Sequence, residues 1–234
     1  MPNIKIIQKR IGYSNATLLI KGPNSVLIDT GVKGNMKKIE LMFGQAGIEP
    51  TDIKVIVLTH THYDHTGNLP ALVEYTGAQV LVHKNEFRNL QQGFTPIPKG
   101  IGRYPRFISG IGRKLMPRFT SPPAFTAQLV NNAFFDLNPW NINAKVISTP
   151  GHTLGSQSVV VEKNLISGDT FVNMRNGQIF PPFADNPELL LQTWRELFKL
   201  GIKTIYPGHG KAFPVAKAIA EYKKWCEKFT LAYR

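Results

Sequence analysis

The segment Thr59–His65 reads THTHYDH and directly follows the apolar run Val55–Leu58, which reads VIVL. A short apolar run of this kind is typical of a buried β-strand. Six consecutive residues after it contain four side chains of the type that bind metals: His60, His62, Asp64 and His65. Imidazole nitrogen and carboxylate oxygen are the ligands that zinc favours. The segment therefore predicts a metal site on the loop that follows the strand.

Three later segments each place one more ligand-type side chain after a predicted strand. They are Thr149–Thr153 (TPGHT) with His152, Gly168–Thr170 (GDT) with Asp169, and Pro207–Gly210 (PGHG) with His209. Five of the six histidines of the protein fall into this set, which would not be expected of histidines used for packing. Sites on layered sheets are usually assembled on loops at strand ends. We therefore expect these side chains to meet at one site.

Apolar periodicity and Gly and Pro breaks predict strands and helices mixed in both halves of the chain. The predicted strands are Asn3–Gln8, Ala16–Lys21, Ser25–Asp29, Val55–Leu58, Gln79–Val82, Ala144–Ser148, Ser156–Glu162, Asn164–Ser167 and Thr204–Tyr206. The predicted helices are Lys33–Ala46, Asn68–Tyr75, Pro187–Leu200 and Val215–Phe229. This mixture indicates sheets at the centre with helices outside.

The stretch His60–His65 matches the HxHxDH signature of the metallo-β-lactamase superfamily, and the chain resembles this family in four more segments. In order along the chain these are Asp29–Gly31 (DTG), Pro150–Thr153 (PGHT), Ser167–Thr170 (SGDT) and Pro207–Gly210 (PGHG). The resemblance implies an α/β fold, the αββα sandwich, in which two central mixed sheets are flanked by helices and the metals lie at one edge of the sheets. It also implies that residues 1–234 form a single domain.

The resemblance further implies a set of ligands for two divalent metal ions. One ion would be bound by His60, His62 and His152, and the other by Asp64, His65 and His209. Asp169 would bridge both ions, and Asp64 and Asp169 would be the catalytic residues. A hydroxide held between the ions would be the nucleophile, because metals lower the pKa of bound water. Zinc is the expected metal, although iron or manganese would fit the same ligands.

Among the branches of this family, the chain most resembles the hydroxyacylglutathione hydrolase (glyoxalase II) and lactonase branch, because Gly155 and Ser156 follow the PGHT motif. We expect a hydrolase that cleaves a small ester-like bond, either a thioester or a lactone. Two features depart from that branch. The chain stops soon after His209, without the helical extension that binds glutathione in the longer glyoxalase II enzymes, and Val172 stands where many acyl-homoserine lactonases have tyrosine.

Two alternatives to a hydrolase of small esters stay open. The first is a phosphodiesterase or nuclease that acts on nucleic acid with the same metals. The second is a mononuclear iron enzyme that resembles the persulfide dioxygenases. The identity of the metal would separate the second alternative from a zinc hydrolase.

Five further residues lie near these motifs or have reactive side chains, and for each we predict a structural role or none. Asp29 is expected to orient the metal-binding loop by hydrogen bonds, since it does not fit the ligand pattern. His83 is expected to be an ordinary histidine at a strand end, and Lys211 a solvated lysine. Tyr63 is expected to point away from the ligands if its loop is extended. Cys226 is expected to pack in a helix as an inert side chain.

The segment of about 87–135 differs in composition from the rest of the chain and is predicted to be an insert. It contains seven basic residues and no acidic one, and it is rich in Pro, Gly and aromatic residues. A structureless loop of this length is uncommon, so we expect either a functional lid over the metal site or a flexible arm. A short helix over Pro105–Met116 is predicted within it. Its apolar face would line a pocket, form a homodimer contact or rest on a membrane surface.

Composition limits the class of protein and the kind of partner. The chain has 234 residues, of which 42% are hydrophobic, and a formal net charge of +13. The charge favours a small anionic substrate, and more weakly nucleic acid. No apolar run approaches the roughly 18 residues of a membrane span, and no signal peptide is evident at the N-terminus. We expect a cytoplasmic protein without a transmembrane segment.

Overall fold

The computed structural model describes residues 4–101, 105, 107, 109–111, 123–174 and 176–229, and these form two six-stranded sheets. The first sheet has the strand order β1-β2-β3-β4-β5-β6. Its strands are β1 (Lys5–Ile11), β2 (Ser14–Lys21), β3 (Asn24–Ile28), β4 (Ile53–Val57), β5 (Gln79–His83) and β6 (Leu129–Asn131). The first three strands pair antiparallel and β3 to β6 pair parallel, so the sheet is mixed.

The second sheet has the strand order β12-β11-β10-β9-β8-β7. Its strands are β7 (Phe134–Asp136), β8 (Ala144–Ser148), β9 (Gln157–Val161), β10 (Asn164–Val172), β11 (Thr204–His209) and β12 (Phe213–Pro214). Only β10 and β11 pair parallel, and the other neighbours are antiparallel. The chain crosses from one sheet to the other between β6 and β7.

Six α-helices whose whole length is described accompany the sheets. They are α1 (Met36–Ala46), α2 (Tyr63–Thr66), α3 (Leu69–Thr76), α4 (Lys84–Gln92), α5 (Pro187–Phe198) and α6 (Val215–Lys228). Helix α1 ends at Gly47, which adopts the left-handed conformation that glycine tolerates. Helix α5 begins after Asn186, whose side chain accepts a hydrogen bond from the backbone of Leu189 and caps the helix.

Side chains that alternate along the strands divide the core into three apolar layers. In β4, Val55 and Val57 point into the layer between the two sheets, whereas Ile56 points to the layer covered by α1 and α3. A third layer lies between the second sheet and helices α5 and α6, around the fully buried Trp194. Three layers of core require four layers of secondary structure. The predicted αββα sandwich with two mixed sheets is thereby confirmed.

Polar bonds between the sheets fix one end of the sandwich. The backbone N–H of Gln157 donates to the carbonyl of Thr59 at 2.8 Å, and its side-chain amide donates to the carbonyl of Leu58 at 2.7 Å. The amide of Asn15 donates to the carbonyls of Pro207 and Gly210 at 2.9 and 2.7 Å. These bonds hold the segments after β4 and within β11 in register, and both segments carry predicted ligands.

The segment between α4 and β6, residues 93–128, is shorter than the insert of about 87–135 that composition predicted. The first residues of the predicted insert belong to α4, and its last residues form β6 and β7. Strands of three residues are too short to show a period in the sequence, which is why the prediction missed them. In the predicted helix Pro105–Met116, the described residues 105, 107 and 109–111 are helical, and the rest of that prediction lies outside the described residues.

None of the helices in the described part of the chain is long and apolar enough to cross a membrane.

Candidate metal centre

The seven predicted ligands lie together at one end of the sandwich. His60 and His62 follow β4, and Asp64 and His65 lie on the short helix α2 directly after them. His152 lies in the loop between β8 and β9. Asp169 and His209 come from β10 and β11. All seven side chains are buried or nearly so, with His209 the most exposed at 21%. The structure therefore brings together all the side chains that the motifs singled out.

Asp169 and His209 lie within strands, and the prediction that they lie on loops after strands was wrong. Strand β10 extends to Val172, and β11 extends to His209 itself. The pairing of these strands is irregular on both sides of Gly168, whose φ is +50°. A bulge of this kind re-aims the following side chain. The carboxylate of Asp169 is thus directed to the site although its backbone belongs to a central strand.

The ligand atoms form two groups that we name the histidine trio (His60, His62 and His152) and the mixed trio (Asp64, His65 and His209). Within each group the ligand atoms lie within 4.8 Å of one another. Asp169 lies between the groups. Its Oδ2 is 3.6 Å from Nε2 of His152 and 3.3 Å from Nε2 of His209, and its Oδ1 is 3.3 Å from Nε2 of His65. A third group within the same limit, His60, His65 and Asp169, connects the two trios. The division of these side chains between two metal ions stays a prediction.

The second ring nitrogen of every one of these histidines is used in a hydrogen bond. The rings of His62, His152 and His209 donate to the backbone carbonyls of Pro96 (3.3 Å), Phe183 (2.9 Å) and Tyr13 (2.8 Å). His65 donates to Asp29, and His60 donates to the hydroxyl of Thr59. Such bonds fix the tautomer and orient the ring in metal sites.

Because of these hydrogen bonds, one ring nitrogen of His62 and one of His152 direct their lone pairs at each other. Burial lowers the pKa of His152 to about 4 and also lowers the pKa of His62, so both rings are neutral at pH 7. Each ring carries its one proton on the nitrogen that donates to a carbonyl. Nδ1 of His62 and Nε2 of His152 are therefore both acceptors, yet they face each other at 3.1 Å. A cation between them would remove this repulsion.

Among the described residues, three further buried side-chain atoms at the centre make no hydrogen bond, and all three belong to predicted ligands. They are Nε2 of His60, Nε2 of His65 and Oδ1 of Asp169, and the last two face each other as an ion pair at 3.3 Å. A buried polar atom without a partner costs free energy of about 1–3 kcal/mol. Atoms of this kind are uncommon in proteins, and their concentration at one point fits a site built for metal ions.

Without a bound cation, protons on His65 and His209 balance the negative charges of Asp64 and Asp169. Burial lowers the pKa of His209, but the charges of Asp169 and Asp64 and their hydrogen bonds outweigh it and raise the pKa to about 10. Burial also lowers the pKa of His65, but the charges of Asp169, Asp64 and Asp29 outweigh it and hold the pKa well above its usual value. Both rings are therefore protonated at pH 7, in contrast to the histidine trio.

Asp29 orients the metal-binding segment by hydrogen bonds, as the sequence predicts. Its Oδ1 accepts from the backbone N–H of Thr59, and its Oδ2 accepts from the Thr59 hydroxyl and from Nδ1 of His65, at 2.7–2.8 Å. Its backbone has φ of +60°, a left-handed conformation that costs a non-glycine residue roughly 1–2 kcal/mol. The bonds to Thr59 and His65 hold the residue in this conformation.

Gly208 makes room for the central carboxylate. A Cβ at this position would lie 2.1 Å from Oδ1 of Asp169, which is too close for any side chain. The motif Pro207–Gly210 thus contributes a ligand, His209, and also the free space beside another ligand.

The four remaining sequence candidates lie outside the ligand groups. His83 is buried, donates to the carbonyl of Asn132 and caps α4, and Lys211 is exposed. Cys226 is buried against the second sheet. Tyr63 begins α2 instead of lying on an extended loop, and its hydroxyl bonds that of Tyr13.

Sequence reasoning missed the three backbone carbonyls that orient the rings, those of Tyr13, Pro96 and Phe183. Every residue has a carbonyl, so no residue type signals this role. It also missed the buried Glu86, which contacts Thr61. An acidic side chain directly before the predicted insert gives no sign in the sequence that it will be buried.

The different protonation of the two trios predicts that two metal ions bind with different pH dependence. Between about pH 6.5 and 9, the affinity of the mixed trio should rise with pH, because protons on His65 and His209 compete with the metal until the pH exceeds their raised pKa values. The histidine trio is already neutral, so its affinity should change little. Chelator competition with Co²⁺ at several pH values measures both constants. Equal pH dependence for the two ions would contradict the assignment.

Comparison with known proteins agrees with this geometry. The family model described as the metallo-beta-lactamase superfamily matches residues 10–209. The probable metallo-hydrolase MJ0888 of Methanocaldococcus jannaschii is 30% identical over 216 residues, which are 88% of this chain and 95% of the relative. A hydroxyacylglutathione hydrolase of Shewanella pealeana is 30% identical over 146 residues, which are 62% of this chain and 41% of that protein.

The solved structures show the same fold. A metallo-beta-lactamase family protein from Thermus thermophilus, TTHA1429, superposes with a TM-score of 0.71 at 22% identity, over 97% of this chain and 80% of that one. The family model covers all five motifs from Asp29 to His209, and their side chains form one buried centre. The chain therefore belongs to the metallo-beta-lactamase superfamily.

Proposed function

We propose that the protein is a dinuclear metal-dependent hydrolase that cleaves a small thioester or lactone. The observation that carries the proposal is the pair of ligand trios with the carboxylate of Asp169 between them. Two cations held this close repel each other, and a shared carboxylate reduces that repulsion. When bound, the two ions would lower the pKa of a shared water and polarise the bond to be cleaved.

Zinc is the metal that we propose. The histidine trio offers three nitrogen atoms, and the mixed trio offers two nitrogen atoms and one oxygen. Nitrogen-rich sites suit zinc better than magnesium or calcium, which prefer oxygen ligands. Each trio would supply three protein ligands and Asp169 a shared fourth, so water or substrate would add a fifth ligand, a coordination number that catalytic zinc can adopt.

Asp64 and Asp169 are the residues that we propose act in catalysis. Oδ2 of Asp64 lies 3.3 Å from Nε2 of His209, and Oδ2 of Asp169 lies at the same distance from that atom. Burial raises the pKa of Asp169, but the charges of His209 and His65 outweigh it and hold the pKa well below its usual range. The pKa of Asp64 is lowered in the same way, by the charges of His65 and His209 acting against burial. Both carboxylates are therefore ionised at neutral pH and can orient a water at the centre by accepting its hydrogen bond.

The kind of bond cleaved is proposed from the sequence motifs and one relative. The chain shares 30% identity over 146 residues with a hydroxyacylglutathione hydrolase, whose name denotes hydrolysis of an acyl-glutathione. The net charge of +13 suits a substrate that carries carboxylates. Lys211 is exposed two residues after His209 and is available to such a substrate.

Replacing the central carboxylate should remove both metals. In Asp169→Ala, the carboxylate between the trios is lost, so we expect the metal content to fall from about two ions per chain to near zero. The rate of hydrolysis should fall by about a thousandfold or more, since metal ions stabilise transition states by several kcal/mol. Elemental analysis after dialysis and steady-state kinetics measure both effects.

Glu196→Ala is the matched control for Asp169→Ala, because it removes an exposed carboxylate from α5. It should keep full metal content and rate. An Asp169→Ala protein that keeps both would contradict the ligand assignment.

The reaction class is tested by proton release in a pH-stat with zinc-loaded protein. The panel consists of S-lactoylglutathione, acyl lactones, simple aryl esters and a phosphodiester, because hydrolysis of each releases acid. We expect turnover of a thioester or a lactone and none in Asp169→Ala. Cleavage of the phosphodiester alone would contradict the proposal in favour of action on nucleic acid. No proton release with any member of the panel would contradict hydrolysis. The next test would then be oxygen consumption by the iron-loaded protein.

A further inference from the structure

Glu86 is a buried carboxylate outside both ligand trios. It lies in the first turn of α4 and is only 2% exposed. Its Oε2 accepts hydrogen bonds from the backbone N–H and from the hydroxyl of Thr61. Among the described residues it makes no ion pair with a Lys, Arg or His side chain within 4.0 Å. Burying a carboxylate without a cationic partner is costly, so its charge needs an explanation.

Thr61 stands between the two ligands His60 and His62, so Glu86 holds the backbone that joins them. The same residue is also held by Thr95, whose hydroxyl donates to the carbonyl of Thr61 at 2.8 Å. The next residue, Pro96, supplies the carbonyl that orients the ring of His62. The backbone between the two ligands after β4 is thus held by hydrogen bonds from Thr61 to Glu86 and from Thr95 to Thr61.

Glu86 also packs against the loop that carries the third member of the histidine trio. A Cβ at Gly155 would lie 2.5 Å from Cγ of Glu86 and 2.9 Å from its Oε1. Gly155 follows His152 by three residues, and the loop is closed by hydrogen bonds between Thr153 and Ser156. A single side chain therefore touches both segments from which the histidine trio is built.

Asp29 is a second buried carboxylate that contacts the backbone next to the ligands. Asp29 accepts from Thr59 and from His65 and so supports the mixed trio. Glu86 supports the same stretch of backbone two residues after Thr59, through Thr61. The neutral histidine trio has no carboxylate of its own, apart from Asp169 at its border.

We propose that Glu86 is a positioning residue of the metal centre, which acts through Thr61 on the histidine trio and whose negative charge offsets the charge of the cation bound there. This inference rests on the proposed function, since it requires that the histidine trio binds a metal ion. A glutamine could accept the same hydrogen bonds without the cost of a buried charge. The charge is therefore explained by a nearby cation, and the hydrogen bonds by the need to fix His60 and His62.

The test is Glu86→Gln, which keeps the shape and the acceptor oxygen but removes the charge. Two quantities are measured on the full chain: the affinity for Co²⁺ by chelator competition, followed in the visible spectrum, and the melting temperature of the metal-free protein. We expect the affinity of the histidine trio to fall about tenfold or more, as for other residues that support metal ligands. The metal-free melting temperature should stay equal or rise, because a buried charge is gone.

A purely structural role predicts a different result for the metal. If Glu86 only holds the loop by its hydrogen bonds, Glu86→Gln keeps the acceptor oxygen and will leave the cobalt affinity unchanged. A metal-free Glu86→Gln protein that is unfolded at room temperature would overturn the proposal in the same way. Glu74→Gln is the matched control, since Glu74 is an exposed glutamate on α3, and it should change neither quantity.

The wild-type protein separates the failure of this inference from the failure of the proposed function. If wild-type protein binds no Co²⁺ at the histidine trio, the proposed metal centre is wrong, and the inference falls with it. If wild-type protein binds Co²⁺ and Glu86→Gln binds it equally well, only the role of Glu86 is wrong.

Discussion

Two neutral imidazole rings, those of His62 and His152, direct lone pairs at each other across 3.1 Å. This contact is unfavourable in itself, and it exists because a carbonyl behind each ring takes its only proton. The two rings come from different sheets, since His62 follows β4 of the first sheet and His152 precedes β9 of the second. The sandwich must therefore hold its two sheets in a fixed relation for the contact to persist.

The structure supplies that rigidity through buried polar bonds and through backbone that has no freedom to move. Gln157 ties the start of β9 to the end of β4 by two hydrogen bonds. Asp29 is held in a left-handed conformation by its bonds to Thr59 and His65. Gly208 lets Asp169 approach from the neighbouring strand. Strained backbone of this kind is typical of functional sites. Metal ions would offset part of the destabilisation that the strain and the unpartnered polar atoms cause.

The two trios differ in charge, and this difference gives the centre an internal asymmetry. The histidine trio is neutral and has lone pairs ready for a cation. The mixed trio and Asp169 together carry two ionised carboxylates, which protons on His65 and His209 balance. A cation that enters the mixed trio must displace protons, and one that enters the histidine trio need not. From this asymmetry we expect a cation to enter the histidine trio first.

The fold was predicted from the five motifs that resemble the family and is confirmed, and the seven side chains that those motifs singled out lie together in the structure. The sequence could not predict features that depend on the tertiary structure. The placement of Asp169 inside β10 depends on a strand irregularity at Gly168. The carbonyl of Pro96 orients His62, and this role carries no residue signal. The burial of Glu86 depends on the approach of Gly155 from the second sheet. Short strands at the end of the insert also gave no periodic pattern.

Anomalous scattering from crystals of the zinc-loaded protein would show directly whether the centre holds two metal ions. We predict two peaks. One should lie about 2.0–2.1 Å from Nε2 of His60, Nδ1 of His62 and Nε2 of His152, as zinc–nitrogen bonds require. The other should lie within the mixed trio, with the carboxylate of Asp169 between the peaks. A single peak, or peaks bound by other side chains, would contradict a dinuclear centre.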